Sequence, residues 1–283
     1  MKTLVFGGKG MLGCDLAALS SDKDPVIALG RTDGDITDSG SVGRALALHK
    51  PDYAILAAAW TNVDGAEANE AACRAVNVGG AEVCAKACET AGVSLLYISS
   101  DYVFSRPGPE PLGEDEPHAP LSAYGRSKSD GEKAVRESCS RWTVVRTSWL
   151  FGQHGKNFCQ TILGLAQSKP EISVVDDQIG APTHTAHLAK GLLSVCRMGL
   201  RGTLHLAAQG QTSWHGLASR LVKEAGLSTL VNPIPTKEFP RPAQRPQWSI
   251  FSQKKCLQAG IKLPEWQLGL SLWLNQTQNI QKK

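Results

Sequence analysis

The sequence predicts an α/β protein built on a doubly wound parallel sheet, with a smaller lobe toward the carboxyl end. Three observations carry this expectation. Short apolar runs alternate with longer amphipathic stretches through the first half, a glycine triplet follows the first of those runs directly, and the rhythm loosens after about residue 150. Parallel strands need crossover connections, and those crossovers are usually helices. Strands buried on both faces read as continuous apolar runs, as these do.

The runs TLVFG (3–7), PVIALG (25–30), YAILAAA (53–59), SLLYISS (94–100) and TVVRTSW (143–149) are β-branched or leucine-rich and short enough for strands. Between them the spacing predicts helices around 11–20, 40–49, 67–91 and 122–138. A helix at 157–168, a strand ISVVDD (172–177), a helix at 185–198, a strand TLHLAA (203–208) and a helix at 213–225 come next. The proline-rich NPIPTKEFPRPAQRP (232–246) follows, then two short helices near 252–259 and 265–276 and a frayed tail, NQTQNIQKK. No segment repeats. The later half is expected over the carboxyl edge of the sheet, where ligands bind in open α/β sheets.

With 283 residues the chain has ample length to bury a core. Its formal charge of +4 is mild, and no block of five like charges forms a nucleic-acid arm. No apolar run approaches the ~20 residues needed to span a bilayer. Eight cysteines are present, some in helical patterns such as Cys84 and Cys88, and no signal-peptide pattern precedes them. Buried thiols in a soluble, reduced, cytoplasmic protein are expected.

The first strand runs into GGKGMLG, which fits Gly-x-x-Gly-x-x-Gly with Gly7, Gly10 and Gly13. Directly after a strand and before the helix MLGCDLAALS, such a triplet permits a tight turn, close backbone approach to a pyrophosphate and close packing of helix on strand. This makes the sheet Rossmann-like. Residues 1–150 are then expected as a dinucleotide-binding domain and 151–283 mainly as a substrate-binding lobe, with segments within 172–208 free to return to the sheet. After the second strand, where a nicotinamide adenine dinucleotide site often has a carboxylate for the ribose, stand Gly30 and Arg31. Arg31 either meets a 2′-phosphate or is an exposed loop arginine. Asp35 and Ile36 follow where an adenine edge lies in such sites.

In SAYGRSK, Tyr124 and Lys128 are four apart and share a face if 122–138 is helical. A free phenol has a pKa near ~10, and a nearby ammonium favours the phenolate and lowers that value. A tuned acid-base couple is expected. The fourth strand ends in Ser99, Ser100, Asp101 and Tyr102, placing the Ser100 hydroxyl at the carboxyl edge beside Tyr124.

Glycine loop, strand order and Tyr-x-x-x-Lys together resemble the short-chain dehydrogenase/reductase superfamily in its extended form. ISSDYVF (98–104), RTSWLFG (146–152), NF (157–158), DDQIGAPT (176–183), TSWHGLA (212–218), RPAQRP (241–246) and LPEWQLGL (263–270) narrow the likeness to the dTDP-4-dehydrorhamnose reductase family, over nearly the whole chain. The resemblance implies reduction of the 4-keto group of dTDP-4-dehydro-β-L-rhamnose, with NADPH as cofactor and NADH as the second option. It makes Tyr124 the proton donor, Lys128 its partner and cofactor-ribose ligand, and Ser100 the hydroxyl, usually threonine, that orients the carbonyl. It places Asp101 and Trp149 against the substrate, and Gly10, Met11, Leu12, Asp35, Ile36, Ala59 and Thr61 against the cofactor. Some family members dimerise through magnesium held by three glutamates. The matching positions here are Asp15, Ala186 and Gln267, so no magnesium site and a monomer or weak metal-free homodimer are expected.

Other residues are read more plainly. His184 and His187 lack a third ligand at metal-site spacing, and Trp142, Trp214, Trp248, Trp266 and Trp273 are expected in packing. Arg241 and Arg245 either reach a pyrophosphate or are solvated. Two rival functions stand beside the main one: a reductase of another nucleotide-linked 4-keto sugar, and a non-catalytic subunit like the regulatory partner of methionine adenosyltransferase. The presence of Tyr124, Lys128 and Ser100 argues against the second.

Overall fold

The five apolar runs all become strands, and the computed structural model, which describes residues 1–281, joins them in one parallel sheet. They are β1 (Thr3–Phe6), β2 (Val26–Leu29), β3 (Tyr53–Leu56), β4 (Ser94–Ser100) and β5 (Trp142–Thr147). Then come β6 (Leu150–Phe151), β7 (Glu171–Val175), β8 (Ile179–Gly180), β9 (Thr183–His184), β10 (Gly202–His205), β11 (Thr212–Ser213), β12 (Leu230–Ile234) and β13 (Trp248–Ser249). The main sheet has the order β10-β5-β4-β3-β1-β2. Thus β10 returns to it, while β7 pairs in parallel with β12 in a separate ribbon.

The helices are α1 (Met11–Ala17), α2 (Ser39–His49), α3 (Val63–Ala68), α4 (Glu70–Arg74), α5 (Gly80–Ala91), α6 (Ala123–Ser138), α7 (Phe158–Ser168), α8 (Thr185–Arg197), α9 (Trp214–Glu224), α10 (Lys254–Gln258) and α11 (Trp266–Gln281). Strand side chains alternate between faces, so Leu4 and Phe6 join a core with Val42, Leu46, Cys84, Cys88 and Val135 from α2, α5 and α6. Val5 points the other way, toward Leu12, Leu16, Leu188 and Leu192 from α1 and α8. A third core holds α7, α9 and α11 together around Trp266 and Trp273. All eight cysteines are free thiols, and seven are buried. Among the described residues, no helix is long and apolar enough to cross a membrane.

Three local expectations need correction. The stretch 67–91 is not one helix: Asn69 leaves the helical region (φ −135°, ψ 43°), and Ala75–Gly79 form a wide π-turn before α5. Asn62 starts α3 instead, its side chain accepting the Gly65 amide at 3.0 Å. The proline-rich stretch begins inside β12, where Pro233 is tolerated because the strand lies at the edge of a two-stranded ribbon. The tail is helical through Gln281, and Lys282 and Lys283 lie outside the described residues.

Candidate active site

At the end of β1 the chain turns through Gly7 with φ +94°, and a Cβ there would lie 2.6 Å from the Ala58 amide. A Cβ on Gly13 would lie 2.2 Å from the Gly7 carbonyl, so α1 starts pressed against the turn. No side chain caps that start at Gly10. Leu12 is buried in the core, so its backbone alone faces the loop, beside the half-buried Met11. A cleft of about 260 Å³ opens here, lined by Gly7, Arg31, Asp35, Ile36, Ala59 and Trp60. Thr61 is exposed just beyond it.

Arg31 stands on the rim, 85% exposed, with Nε donating to Asp35 Oδ2 at 3.2 Å. Hydrogen bonds from Thr37, and then from Arg31, hold the Asp35 carboxyl below its ordinary value. Lys9, which the sequence reading passed over, lays its stem across Gly30: a Cβ there would meet Lys9 Cε at 2.9 Å. The place of a ribose-binding carboxylate is therefore taken by a lysine stem.

The next cluster is built by α6. Ser122 caps the helix by accepting the Gly125 amide at 3.1 Å. A Cβ on Gly125 would sit 2.4 Å from the Tyr102 carbonyl, which seats the first turn directly on the chain leaving β4. Tyr124 is buried edge-on against Tyr102 (centroids 5.3 Å apart) and faces Ser100. Ser100 Oγ donates to Asp101 Oδ1 at 2.8 Å, and Ser249 Oγ from the later half donates to Asp101 Oδ2 at 2.6 Å.

The electrostatics differ from the tuned couple expected. Lys128 Nζ donates to the Ile98 carbonyl at 2.7 Å and lies 4.0 Å from the Tyr97 ring centroid. Burial pushes the Tyr124 phenol well above its ordinary value, and the Asp101 charge adds to this. Burial also pulls the Lys128 ammonium down to about 7, against the raising effect of Glu132. Desolvation therefore outweighs the lysine's charge. Burial lifts Asp101 to about 6, opposed by the bonds from Ser249 and Ser100.

Asn77 and its partner Ser127 escaped the sequence reading. Asn77 in the π-turn accepts the Trp60 amide at 2.8 Å, and its Nδ2 donates to the Trp60 carbonyl at 3.2 Å and to Ser127 Oγ at 2.9 Å. Ser127 in turn donates to the Tyr124 carbonyl at 2.7 Å, so one amide ties the cleft loop to α6. Trp214 stacks on Trp149 with centroids 3.5 Å apart, while Trp149 itself has φ +50°, a rare conformation for a bulky residue. Trp214 packs, as expected, but against a predicted site residue. Trp266 and Trp273 lie in the third core, Trp142 packs against Arg136, and Trp248 packs on the cluster of Phe104 and Phe251 while its Nε1 donates to the Glu110 carbonyl at 3.0 Å.

The RmlD substrate binding domain family matches residues 1–279. The chain belongs to this family. A dTDP-4-dehydrorhamnose reductase of Burkholderia thailandensis is 37% identical over 290 residues, spanning 96% of this chain and 97% of its own. A dTDP-4-keto-6-deoxy-D-glucose reductase of Streptomyces niveus is 38% identical, with 91% of each chain covered. A dTDP-4-dehydrorhamnose reductase from Bacillus anthracis str. Ames, crystallised in complex with NADP, superposes with TM-score 0.94 at 34% identity, covering 97% of this chain and 99% of its own.

Arg241, which is exposed, and Arg245, which is half-buried, share one partner in this family member. Both donate to Asp64 at the start of α3: Arg241 Nε reaches Oδ2 at 3.0 Å, and Arg245 reaches Oδ1 at 3.2 Å and Oδ2 at 3.0 Å. The Ala243 amide adds a bond to Oδ1 at 3.3 Å. His184 is buried against Phe151 and His187, and burial pulls it down to about 4. Among the described residues, no three His, Cys, Asp or Glu side chains gather as metal ligands.

Partial burial works to raise Asp64, but Arg245 and Arg241 overcome it and hold the carboxyl well below the usual carboxylate range. Its contribution to stability is therefore complete above about pH 4 and is lost as the pH falls from there toward its folded value. We expect Asp64→Asn to cost about 1 kcal/mol in urea unfolding at pH 7. The deficit should shrink below about pH 4. A deficit that stays constant down to pH 2 would show that the carboxylate's charge contributes nothing.

Proposed function

We propose that the chain catalyses NADPH-dependent reduction of the 4-keto group of dTDP-4-dehydro-β-L-rhamnose to dTDP-L-rhamnose, a step of nucleotide-sugar biosynthesis. The observation that carries this is the convergence of the Tyr124 and Ser100 hydroxyls at the carboxyl edge of the sheet, with Lys128 behind them and the glycine cleft alongside. The cleft fits a dinucleotide, because Gly7 and Gly13 keep side chains out of the turn that faces a pyrophosphate. Gly7, Gly10, Met11, Leu12 and Gly13 would hold it through backbone amides, Asp35, Ile36, Ala59 and Thr61 would line it, Arg31 would meet a 2′-phosphate, and Tyr124 and Lys128 would reach its nicotinamide end. NADPH supplies the hydride.

The remaining work falls to the chain. Burial keeps Tyr124 protonated at neutral pH, the state needed to donate to a ketone oxygen that gains negative charge. Ser100 turns its hydrogen from Asp101 to the same oxygen, and Ser249 and the Tyr102 amide are positioned to keep Asp101 and Ser100 in place meanwhile. A charged Lys128 favours the phenolate that remains. Asp101 and Trp149 border the sugar and its nucleotide. With Ala186 and Gln267 at two of three acidic positions, the reading is a monomer or weak homodimer without a metal bridge, working on a dTDP-sugar in the cytoplasm, away from nucleic acid and membrane.

A second sugar remains a real alternative, since the Streptomyces niveus relative is named for dTDP-4-keto-6-deoxy-D-glucose. The test follows NADPH oxidation with dTDP-4-dehydrorhamnose and with other nucleotide-linked 4-keto sugars. Highest kcat/KM on the first is expected; a higher value on another sugar transfers the assignment, and no turnover on any favours a non-catalytic subunit. Tyr124→Phe should retain NADPH binding and lose roughly 10²-fold or more in kcat. Wild-type turnover in that variant would exclude the phenol as donor.

The cofactor preference is expected to favour NADPH, since Gly30 offers no carboxylate and Arg31 would supply a charge-assisted bond to a 2′-phosphate. Arg31→Ala should raise KM for NADPH much more than for NADH. Equal effects would leave Arg31 a solvent-facing partner of Asp35.

A further inference from the structure

One turn beyond Lys128, Glu132 is a fully buried carboxylate, and its four closest donors come from three elements. Oε1 accepts from Ser99 Oγ at 2.6 Å and Arg146 Nε at 2.9 Å; Oε2 accepts from Arg146 Nη2 at 2.8 Å and Arg136 Nη2 at 2.5 Å. Arg146 is equally buried, stands opposite Ser99 in the register of β4 and β5, and spends its other N–H groups on the Glu114 carbonyl and on the ring nitrogens of His205 and His118. Burial works to raise Glu132, but Arg146 foremost overcomes it and keeps the carboxyl ionised.

A buried pair of this kind is weak evidence for a role in stability. Well-packed apolar residues in place of a buried ion pair are often neutral or stabilising, because each ion loses its hydration. What the pair does fix is position: Ser99 is the neighbour of Ser100, and Glu132 is one helical turn from Lys128. We infer that Glu132, held by Arg146, is a positioning residue of the reduction, pinning α6 to the end of β4 and supplying the negative charge that keeps Lys128 an ammonium. This rests on the reading of Lys128 as active in its charged form. The other titratable groups against Lys128 are Cys73 from α4, Tyr97 from β4 and Tyr124 from its own helix. Burial raises all three and leaves them neutral at pH 7, so Glu132 provides the anion.

The sign follows. A carboxylate beside a lysine raises the lysine's value, so its loss moves the alkaline limb of activity to lower pH. The test uses the full chain with NADPH and the keto sugar. Glu132→Gln should lower kcat at least 10-fold at pH 7 and move the alkaline limb of the kcat profile down by about one pH unit. Lys128→Met identifies the limb: if wild type shows no alkaline limb that this change removes, the reading of Lys128 fails. A limb that belongs to Lys128 but stays in place in folded Glu132→Gln overturns the inference alone.

Two further variants cover a folding defect. Ser99→Ala removes one hydroxyl from the carboxylate and should lower kcat severalfold with little change in Tm; an unchanged kcat removes the link to β4. The pair Glu132→Leu with Arg146→Met exchanges the ions for apolar volume and should leave kcat low even where Tm recovers. Wild-type kcat and an unmoved alkaline limb in that pair would make Glu132 and Arg146 structural and overturn the proposal.

Discussion

The close seating of α6 on the carboxyl end of β4 sets the burial of Tyr124 and Lys128. Two turns of the helix have no room for a Cβ: at Gly125 it would meet the Tyr102 carbonyl at 2.4 Å, and at Gly131 the Asn77 carbonyl and Tyr97 hydroxyl at 2.5 Å. Ser127 and Lys128 lie between those glycines and Tyr124 directly before the first, and all three are therefore pressed into the protein rather than held over it. Burial follows from that seating, and the charge states follow from burial. A phenol held neutral and an ammonium brought to about 7 are the consequences of desolvation, with Glu132 as the counterweight.

The same seating fixes the neighbouring cleft. Asn77 reaches α6 through Ser127 and the cleft loop through Trp60, and the π-turn that carries it replaces a regular helical turn between α4 and α5. A π-turn widens the helix and is found often at functional sites. Here it brings the Asn77 side chain between the cleft loop and α6. The glycine cleft and Tyr124 are thereby parts of one hydrogen-bonded unit.

What was legible in the sequence was local. The glycine triplet, the Tyr124 and Lys128 spacing and the polar end of β4 each lie within one turn or one strand end, where residue type and spacing decide the geometry. The long-range partners were not legible, because nothing local marks them. Glu132 and Arg146 are 14 residues apart, and Asp64 and Arg245 are 181 apart. Arg241 and Arg245 were open between two readings for that reason: their partner is set by where the later half folds back. The break at Asn69 was hidden by alanines on both sides, which suit a continuous helix, and the two-residue strands β8, β11 and β13 are too short to show any period.

The later half does more than cover the sheet. Ser249 holds one oxygen of Asp101 while Ser100 holds the other, so the carboxylate beside Tyr124 is shared between the two halves of the chain. Trp214 braces Trp149 in a backbone conformation that costs a bulky side chain of order 1–3 kcal/mol and persists only when its surroundings over-determine it. Gly180 contributes to that over-determination, since a Cβ there would lie within the Trp149 ring's own contact distance, 2.3 Å from Cε2. Asp64 draws the arginine segment onto α3 beside Tyr102, whose ring meets Tyr124. Trp149, Asp101 and Tyr124 are thus held by side chains from both halves, and a change in the later half can reach Tyr124 without altering any residue of α6.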